Sequence, residues 1–220
     1  MQSVEDLGVL NLKIYQDDEL YRFTSDSVLL TRFATVKKGD VVADFCSGSG
    51  IVGLHLYGLY PDIKSVTLFE MQTPLADLSK KSVELNGLEE KFFVVNSKVQ
   101  DIGSEYNGKF SLIVCNPPYM EQHRGFNEQT GHIAECKTEL TLSLKELLSS
   151  VKKALKFGGR FAMVNRADRL TDVICEMRNV GIEPKRLQFF CGGSKPPYLF
   201  AVEGVNGGKS GIKILKEKEN

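Results

Sequence analysis

The stretch "DFCSGSGIVG" (residues 44–53) constrains the fold more than any other part of the chain. It closes a short apolar run, "VVADFC" (41–46), and opens "IVGLHLYGLY" (51–60), which reads as a helix. Gly48, Gly50 and Gly53 make a full G-x-G-x-x-G at that strand-to-helix turn. Glycines there let the backbone approach a ligand closely and aim helix N–H groups at it. A short run this apolar is buried on both faces, as in a parallel sheet covered by helices.

The rest of the chain continues the alternation. "SDSVLLTRFATV" (25–36) starts on a cap-like serine and proceeds at helical spacing. "SVTLFE" (65–70), "KFFVVN" (91–96) and "FSLIVC" (110–115) are predicted strands. "TPLADLSKKSVELNG" (73–87) is a predicted helix closing on Asn86-Gly87. An amphipathic stretch over about 138–156 ends at "FGG" and leads into the strand "RFAMVN" (160–165). A helix over 168–180 stops at Gly181. Two last strands, about 185–191 and 198–205, have no clear helix between them and predict an antiparallel hairpin. The expected fold class is α/β: a mostly parallel seven-stranded sheet, helices on both faces, and a C-terminal antiparallel hairpin. No repeat, low-complexity tract or proline-rich linker interrupts it, so residues 1–220 are expected to form one domain.

Composition narrows the partners. With 220 residues, 42% of them hydrophobic, the chain can bury a sizeable core. No run reaches the length of a membrane span, and the start "MQSVEDLG" lacks a signal peptide's apolar stretch. Five cysteines (46, 115, 136, 175, 191) are odd in number and form no CxxC, which suits a reducing cytoplasm. His132 and Cys136 could share a helix face, but two such ligands without partners are weak grounds for a metal, and none is expected. The net charge is zero, yet residues 1–136 hold 12 basic and 19 acidic groups while residues 137–220 hold 16 and 9. The second half can therefore present a basic face, which would include Arg166, Arg169 and Lys185.

Two carboxylates and a tetrapeptide bear on what the glycine turn holds. Glu70 follows Gly50 by twenty residues, at the end of the next predicted strand, where it can accept bonds from ribose hydroxyls. On that evidence a dinucleotide fits as well as S-adenosylmethionine. Asp44 lies four residues before Gly48. A carboxylate there repels a pyrophosphate and attracts the α-amino group and sulfonium side of S-adenosylmethionine. "NPPY" (116–119) follows the fourth predicted strand and so faces the same crevice, since ligands of open α/β sheets bind beyond the strands' carboxyl ends. Asn-Pro by itself only starts a turn. A hydride-transfer enzyme has no evident use for the whole tetrapeptide.

"DFCSGSG", Glu70 and "NPPY" together resemble the class I methyltransferases, Rossmann-like enzymes that methylate planar amino nitrogens. "YRFTSDSVLLTRFA", "IEPKRLQFF" and "VEGVNGGKSGIKIL" are similar to one branch, the bacterial tRNA(Val) adenine-37 N6-methyltransferases. That similarity runs over about residues 12–216. It implies that Asp44, Ser47, Gly48 and Gly50 hold the methionine part of S-adenosylmethionine, that Glu70 binds the ribose, and that Met71 packs on the adenine. Residues 1–38 would be a segment closing over the cofactor, with Thr24 and Asp26 at its carboxylate, and 39–220 the core. The implied substrate is tRNA or another structured RNA, whose backbone Lys137, Arg166, Arg169 and Lys185 would meet.

The implied chemistry explains why an asparagine and a tyrosine flank two prolines. The exocyclic amine of adenine is a poor nucleophile because its lone pair is conjugated into the ring. Asn116 offers a side-chain carbonyl to one N–H, and the carbonyl of Pro117 can take the other, held stiff by Pro118. Tyr119 supplies a face for the base. Two departures from the family touch the ligands. Ser97 stands where an acid usually receives the cofactor's adenine amine, and "CKTE" (136–139) replaces "ARHE", keeping charge at Lys137. Protein glutamine N5-methylation poses the same lone-pair problem, but those enzymes carry an N-terminal helical domain for which forty residues leave no room. A non-catalytic cofactor- or RNA-binding module is the reading from another class, against which the intact "NPPY" argues.

Overall fold

The computed structural model describes residues 2–20, 24–118 and 142–219. Its main sheet is built from β3 (Val41–Phe45), β4 (Ser65–Glu70), β5 (Phe92–Asn96), β6 (Phe110–Cys115), β7 (Leu155–Arg166), β8 (Ile182–Cys191) and β9 (Leu199–Asn206). Spatially these run β8-β9-β7-β6-β3-β4-β5. The ladders from β5 to β7 are all parallel, and β9 lies antiparallel to both β7 and β8. Seven strands with a C-terminal hairpin were expected. Two strands of two residues each add to them: β10 (Lys213–Ile214) and β11 (Lys218–Glu219) both pair with β8. They are too short to leave a periodic signal in the sequence.

Strand alternation sorts the core into two layers. Val42, Val66, Leu68, Leu112 and Val114 pack with Leu54 and Leu56 of α2 (Ile51–Leu59) and with Leu30 and Phe33 of α1 (Ser25–Phe33). Ala43, Phe45, Phe69 and Ile113 pack on the other face against Leu147, Leu148 and Val151 of α4 (Leu144–Ala154) and Val173 and Met177 of α5 (Leu170–Asn179). Helix α3 (Thr73–Leu85) follows β4. Consecutive strand residues thus feed opposite layers, as a sheet buried on both sides requires.

Helix bounds differ from expectation where side chains intervene. Helix α1 ends at Phe33, because the Thr35 N–H and hydroxyl turn aside to donate to Glu203 at 2.6 and 2.8 Å. Helix α4 starts on a capping box in which Ser143 and Glu146 bond reciprocally, and β7 begins at Leu155 directly behind it. The part of the expected helix over 138–141 lies outside the described residues.

An N-terminal hairpin had no counterpart in the sequence reading. Strands β1 (Gln2–Asp6) and β2 (Lys13–Asp17) pair antiparallel, and β2 docks on α3. The Tyr15 N–H donates to Ser82 Oγ at 3.0 Å, and Asn86 exchanges bonds with the Lys13 N–H and carbonyl. Strand β1 is mostly exposed and carries no apolar alternation, so it left no strand signal in the sequence. Among the described residues, no helix is long and apolar enough to cross a membrane.

Candidate active site

The sheet reverses direction of travel at β3: the chain moves to β4 and β5 on one side, then returns to β6 on the other. Such a switch point opens a crevice beyond the carboxyl ends of the two strands that flank it. Phe45 pairs with Phe69 on one side and Cys115 on the other. The next residues, Glu70, Cys46 and Asn116, therefore stand in one row at the tips of β4, β3 and β6. Two strand spacings separate the outer pair, about 10 Å.

The glycine turn is shaped by backbone twist and close approach. Cys46, Gly48 and Gly50 have φ values of 60°, 56° and 89°, and Gly50 caps the start of α2. At Gly53 the helix lies close against the sheet, since a Cβ would sit 2.5 Å from Leu68 Cδ2 and force it to shift. The amide of Gly53 donates to Asp44 Oδ2 at 2.9 Å. Asp44 is fully buried, and its Oδ1 has no hydrogen-bond partner among the described residues. Burial pushes its carboxyl up to about 8, helped by the Glu70 charge and opposed by the Gly53 N–H. The hydroxyl of Ser47 is likewise buried without a partner among the described residues. A buried carboxylate oxygen and a buried hydroxyl lacking partners suit the ammonium and carboxylate of an amino-acid group. The chain thus fits the methionine part of S-adenosylmethionine.

Glu70 is tied to backbone on both sides. Oε2 accepts from the Gly48 N–H at 2.8 Å and Oε1 from the Gln72 N–H at 2.9 Å, joining the glycine turn to the β4–α3 turn. Burial raises its carboxyl, and the Gln72, Gly48 and Met71 N–H groups hold it back. Each carboxylate oxygen has a second lone pair, so ribose hydroxyls still find acceptors. Met71 is half-buried and belongs to neither apolar layer. Asn96 Nδ2 donates to the carbonyls of Glu70 and Met71, and its Oδ1 accepts from the Thr73 hydroxyl. Its side chain is thus engaged in the turn. Ser97 is half-buried, with its hydroxyl donating to the Lys98 carbonyl at 3.1 Å.

On the other side of the crevice stand Asn116 and the start of α1. Asn116 and Pro117 are half-buried and Pro118 is exposed. Asn116 Nδ2 donates to Ser27 Oγ at 3.0 Å. Thr24 is the exposed N-cap residue of α1, and Asp26 lies half-buried in its first turn. Tyr119, Lys137, His132 and Cys136 lie outside the described residues. Cys46 and Cys115 meet in the layer that faces α4, and burial together with the Cys46 contact raises the Cys115 thiol.

The basic candidates separate. Arg166 ends β7, three residues beyond Met163, the partner of Cys115, and so overhangs the crevice. Its guanidinium forks onto Asp168 at 2.7 and 3.2 Å. Arg169 follows, ion-paired with Asp172 at 2.9 Å. Lys185 does not join them. Its neighbours Pro184 and Arg186 lie level with Phe161 and Ala162 through β9, about 15 Å along the sheet from Arg166. Its Nζ donates to the Lys209 carbonyl at 2.9 Å.

Several contributors escaped the sequence reading. Gln16 is 1% exposed and donates to Ser49 Oγ at 2.6 Å, so β2 buttresses the glycine turn from outside. Ser79 of α3 donates to the Gly48 carbonyl at 2.8 Å. The alternation of β2, with Ile14 and Gln16 buried, is the one signal that could have exposed the first. Ser27 reads in sequence as an ordinary helix residue.

Comparison with known proteins bears on the family and the fold. Residues 24–177 match the family model described as "Methyltransferase small domain". A protein of Flavobacteriaceae bacterium strain 3519-10, named tRNA1(Val) (adenine(37)-N6)-methyltransferase, is 25% identical over 188 residues, covering 79% of this chain and 78% of that one. A protein of the same name from Shewanella putrefaciens is 26% identical over 143 residues, covering 64% of this chain and 58% of its own length. Among solved structures, a methyltransferase from Pyrococcus furiosus superposes with a TM-score of 0.65 at 16% identity, covering 91% of each chain. Methanocaldococcus jannaschii TYW2, solved with AdoMet, gives 0.64 at 11% identity, covering 92% of this chain and 84% of that one. At these identities the two structures speak for the fold. The family match spans well over half of the sequence, including the glycine turn, Glu70 and "NPP", and by it the chain belongs to the methyltransferase small domain family.

Proposed function

We propose that this protein methylates the exocyclic N6 amine of an adenine in RNA, with tRNA as the substrate. One observation carries the reading: Asn116 stands at the tip of β6 in the same row as Glu70, one strand from the partnerless carboxylate oxygen of Asp44. Cofactor-type and amine-type contacts therefore converge on one crevice. The names of the relatives support adenine 37 of a tRNA as the target.

Bound S-adenosylmethionine supplies a methyl group made electrophilic by its sulfonium. Asp44 and Ser47 would bind the amino-acid end, Glu70 the ribose, and Met71 the adenine, while Thr24 and Asp26 would close over the carboxylate. Asn116 Oδ1 would accept one N–H of the substrate amine and the Pro117 carbonyl the other. Both bonds pull electron density toward nitrogen and turn its lone pair to the methyl. The methylated amine is briefly cationic and sheds its proton to solvent without a dedicated base. Positioning and electrostatics supply the rate enhancement. Tyr119 would stack the base and Lys137 would meet its backbone, with Arg166 and Arg169 over the adjoining phosphates.

The experiment uses S-adenosylmethionine labelled in its methyl group with total tRNA, and separately with a glutamine-bearing release factor. Label recovered as N6-methyladenosine from tRNA is the expected result. Label in the release factor would move the reaction to a protein amide, and label in neither would sink the reading.

A further inference from the structure

We infer that Ser27 is a positioning residue that fixes which end of the Asn116 amide meets the substrate; this rests on the proposed reaction. The two ends of a carboxamide are nearly equal in shape and opposite in hydrogen bonding. An amide turned the wrong way would offer N–H to the N–H of an incoming amine. Asn116 therefore needs a partner that holds its nitrogen away from the incoming amine. Ser27 Oγ, 3.0 Å from Asn116 Nδ2, is placed as that acceptor. It turns the nitrogen toward α1 and Oδ1 away from it.

The partner is also rigidly held. Ser27 is 2% exposed and sits in the first turn of α1. Midway along that helix, Thr31 Oγ1 lies 2.8 Å from Nδ1 of the buried His55 on α2. Beyond its end, Thr35 is bonded to the buried Glu203, and Arg186 reaches the Phe33 carbonyl at 3.1 Å while covering the Phe33 ring at 4.8 Å. Helix α1 is thus pinned along its length to α2, β8 and β9. A hydrogen-bonding group on so constrained a helix holds its partner's orientation better than one on a loop. The proline that follows Asn116 restricts its backbone, and the Ser27 bond acts on the side-chain amide.

Single-turnover methyl transfer to tRNA, with enzyme in excess, tests this with Ser27→Ala, Asn116→Ala, the double variant and Ser27→Thr. Ser27→Ala should lower the rate about tenfold, the scale of one lost hydrogen bond. S-adenosylhomocysteine affinity and melting temperature should hold. In the Asn116→Ala background the same change should do nothing more, and Ser27→Thr, which keeps the hydroxyl, should retain most of the rate. Losses that add in the double variant, an unchanged Ser27→Ala rate, or a Thr variant as slow as Ala would each overturn the inference while leaving the reaction standing. A wild-type protein inactive on tRNA would overturn the reaction, and this inference with it.

Discussion

Asp44 Oδ2 takes the amide proton of Gly53 at 2.9 Å, and that single bond orients a carboxylate whose other oxygen has no partner among the described residues. Desolvation, far more than the Glu70 charge, holds its pKa near about 8 against an ordinary 3.8. Folding therefore takes up a proton between those values, so this group's contribution to stability falls as pH rises across that window. Asp44→Asn should flatten the fall, and denaturant melts of both proteins at about pH 5 and 8 would reveal it. An ammonium brought against Asp44 favours the ionised form. S-adenosylhomocysteine should accordingly bind more tightly as pH climbs from about 6 to 8, by at most tenfold per unit, with proton release. Titration calorimetry in buffers of different ionisation enthalpy reads both quantities; flat affinity would contradict the assignment.

Removal of the Asn116 side chain attacks the chemical step. Asn116→Ala should slow methyl transfer by roughly 100-fold or more, the scale seen for losing one preorganised contact. Cofactor affinity should change far less, because the contacts assigned to the cofactor belong to other residues. Near-normal turnover would reduce "NPPY" to a turn.

Basic residues should divide by position along the strands. Alanine at Arg166 and Arg169 together should lower the slope of log affinity for tRNA against log salt by about two units at most. Lys185→Ala should leave the slope nearly unchanged, since that lysine is directed to the Lys209 carbonyl away from the crevice. A larger effect from Lys185 than from the arginines would relocate the RNA path.

Arg160 belongs to stability instead. Its Nη2 meets Asp40 Oδ2 at 2.5 Å, with both side chains under a tenth exposed, and Ser111 donates to the other carboxylate oxygen at 2.7 Å. Asp40→Ala leaves a buried guanidinium without its counter-ion, which should cost about 3–5 kcal/mol. Chemical denaturation measures it. A loss under 1 kcal/mol, on the scale of about an exposed pair, would mean that water reaches the site.

What could be read from sequence was whatever leaves a period or a motif. Strands 65–70 and 110–115 were bounded to the residue, because each is a mostly apolar run that stops directly before a turn. The row of Glu70, Cys46 and Asn116 follows from those ends once the strand order is known. Contacts distant in sequence leave no such trace. Ser27 and Asn116 are 89 residues apart, Gln16 and Ser49 33 apart, and nothing in either segment names its partner. Lys185 was grouped with the arginines because charge was counted along the chain, whereas the level of a residue within its strand depends on the register of β8 against β9.

The short strands at the C-terminus protect an edge. Without β10 and β11, strand β8 would border the sheet with open N–H and carbonyl groups over ten residues. The tail occupies those positions: the Leu215 N–H donates to the Leu187 carbonyl at 2.7 Å, and Gln188 Nε2 donates to the Lys216 carbonyl at 2.9 Å. Unguarded edges recruit strands from other molecules. A chain cut after Asn206 would keep every residue assigned to the crevice and yet leave β8 as a bare edge, so it should self-associate more readily than the full chain.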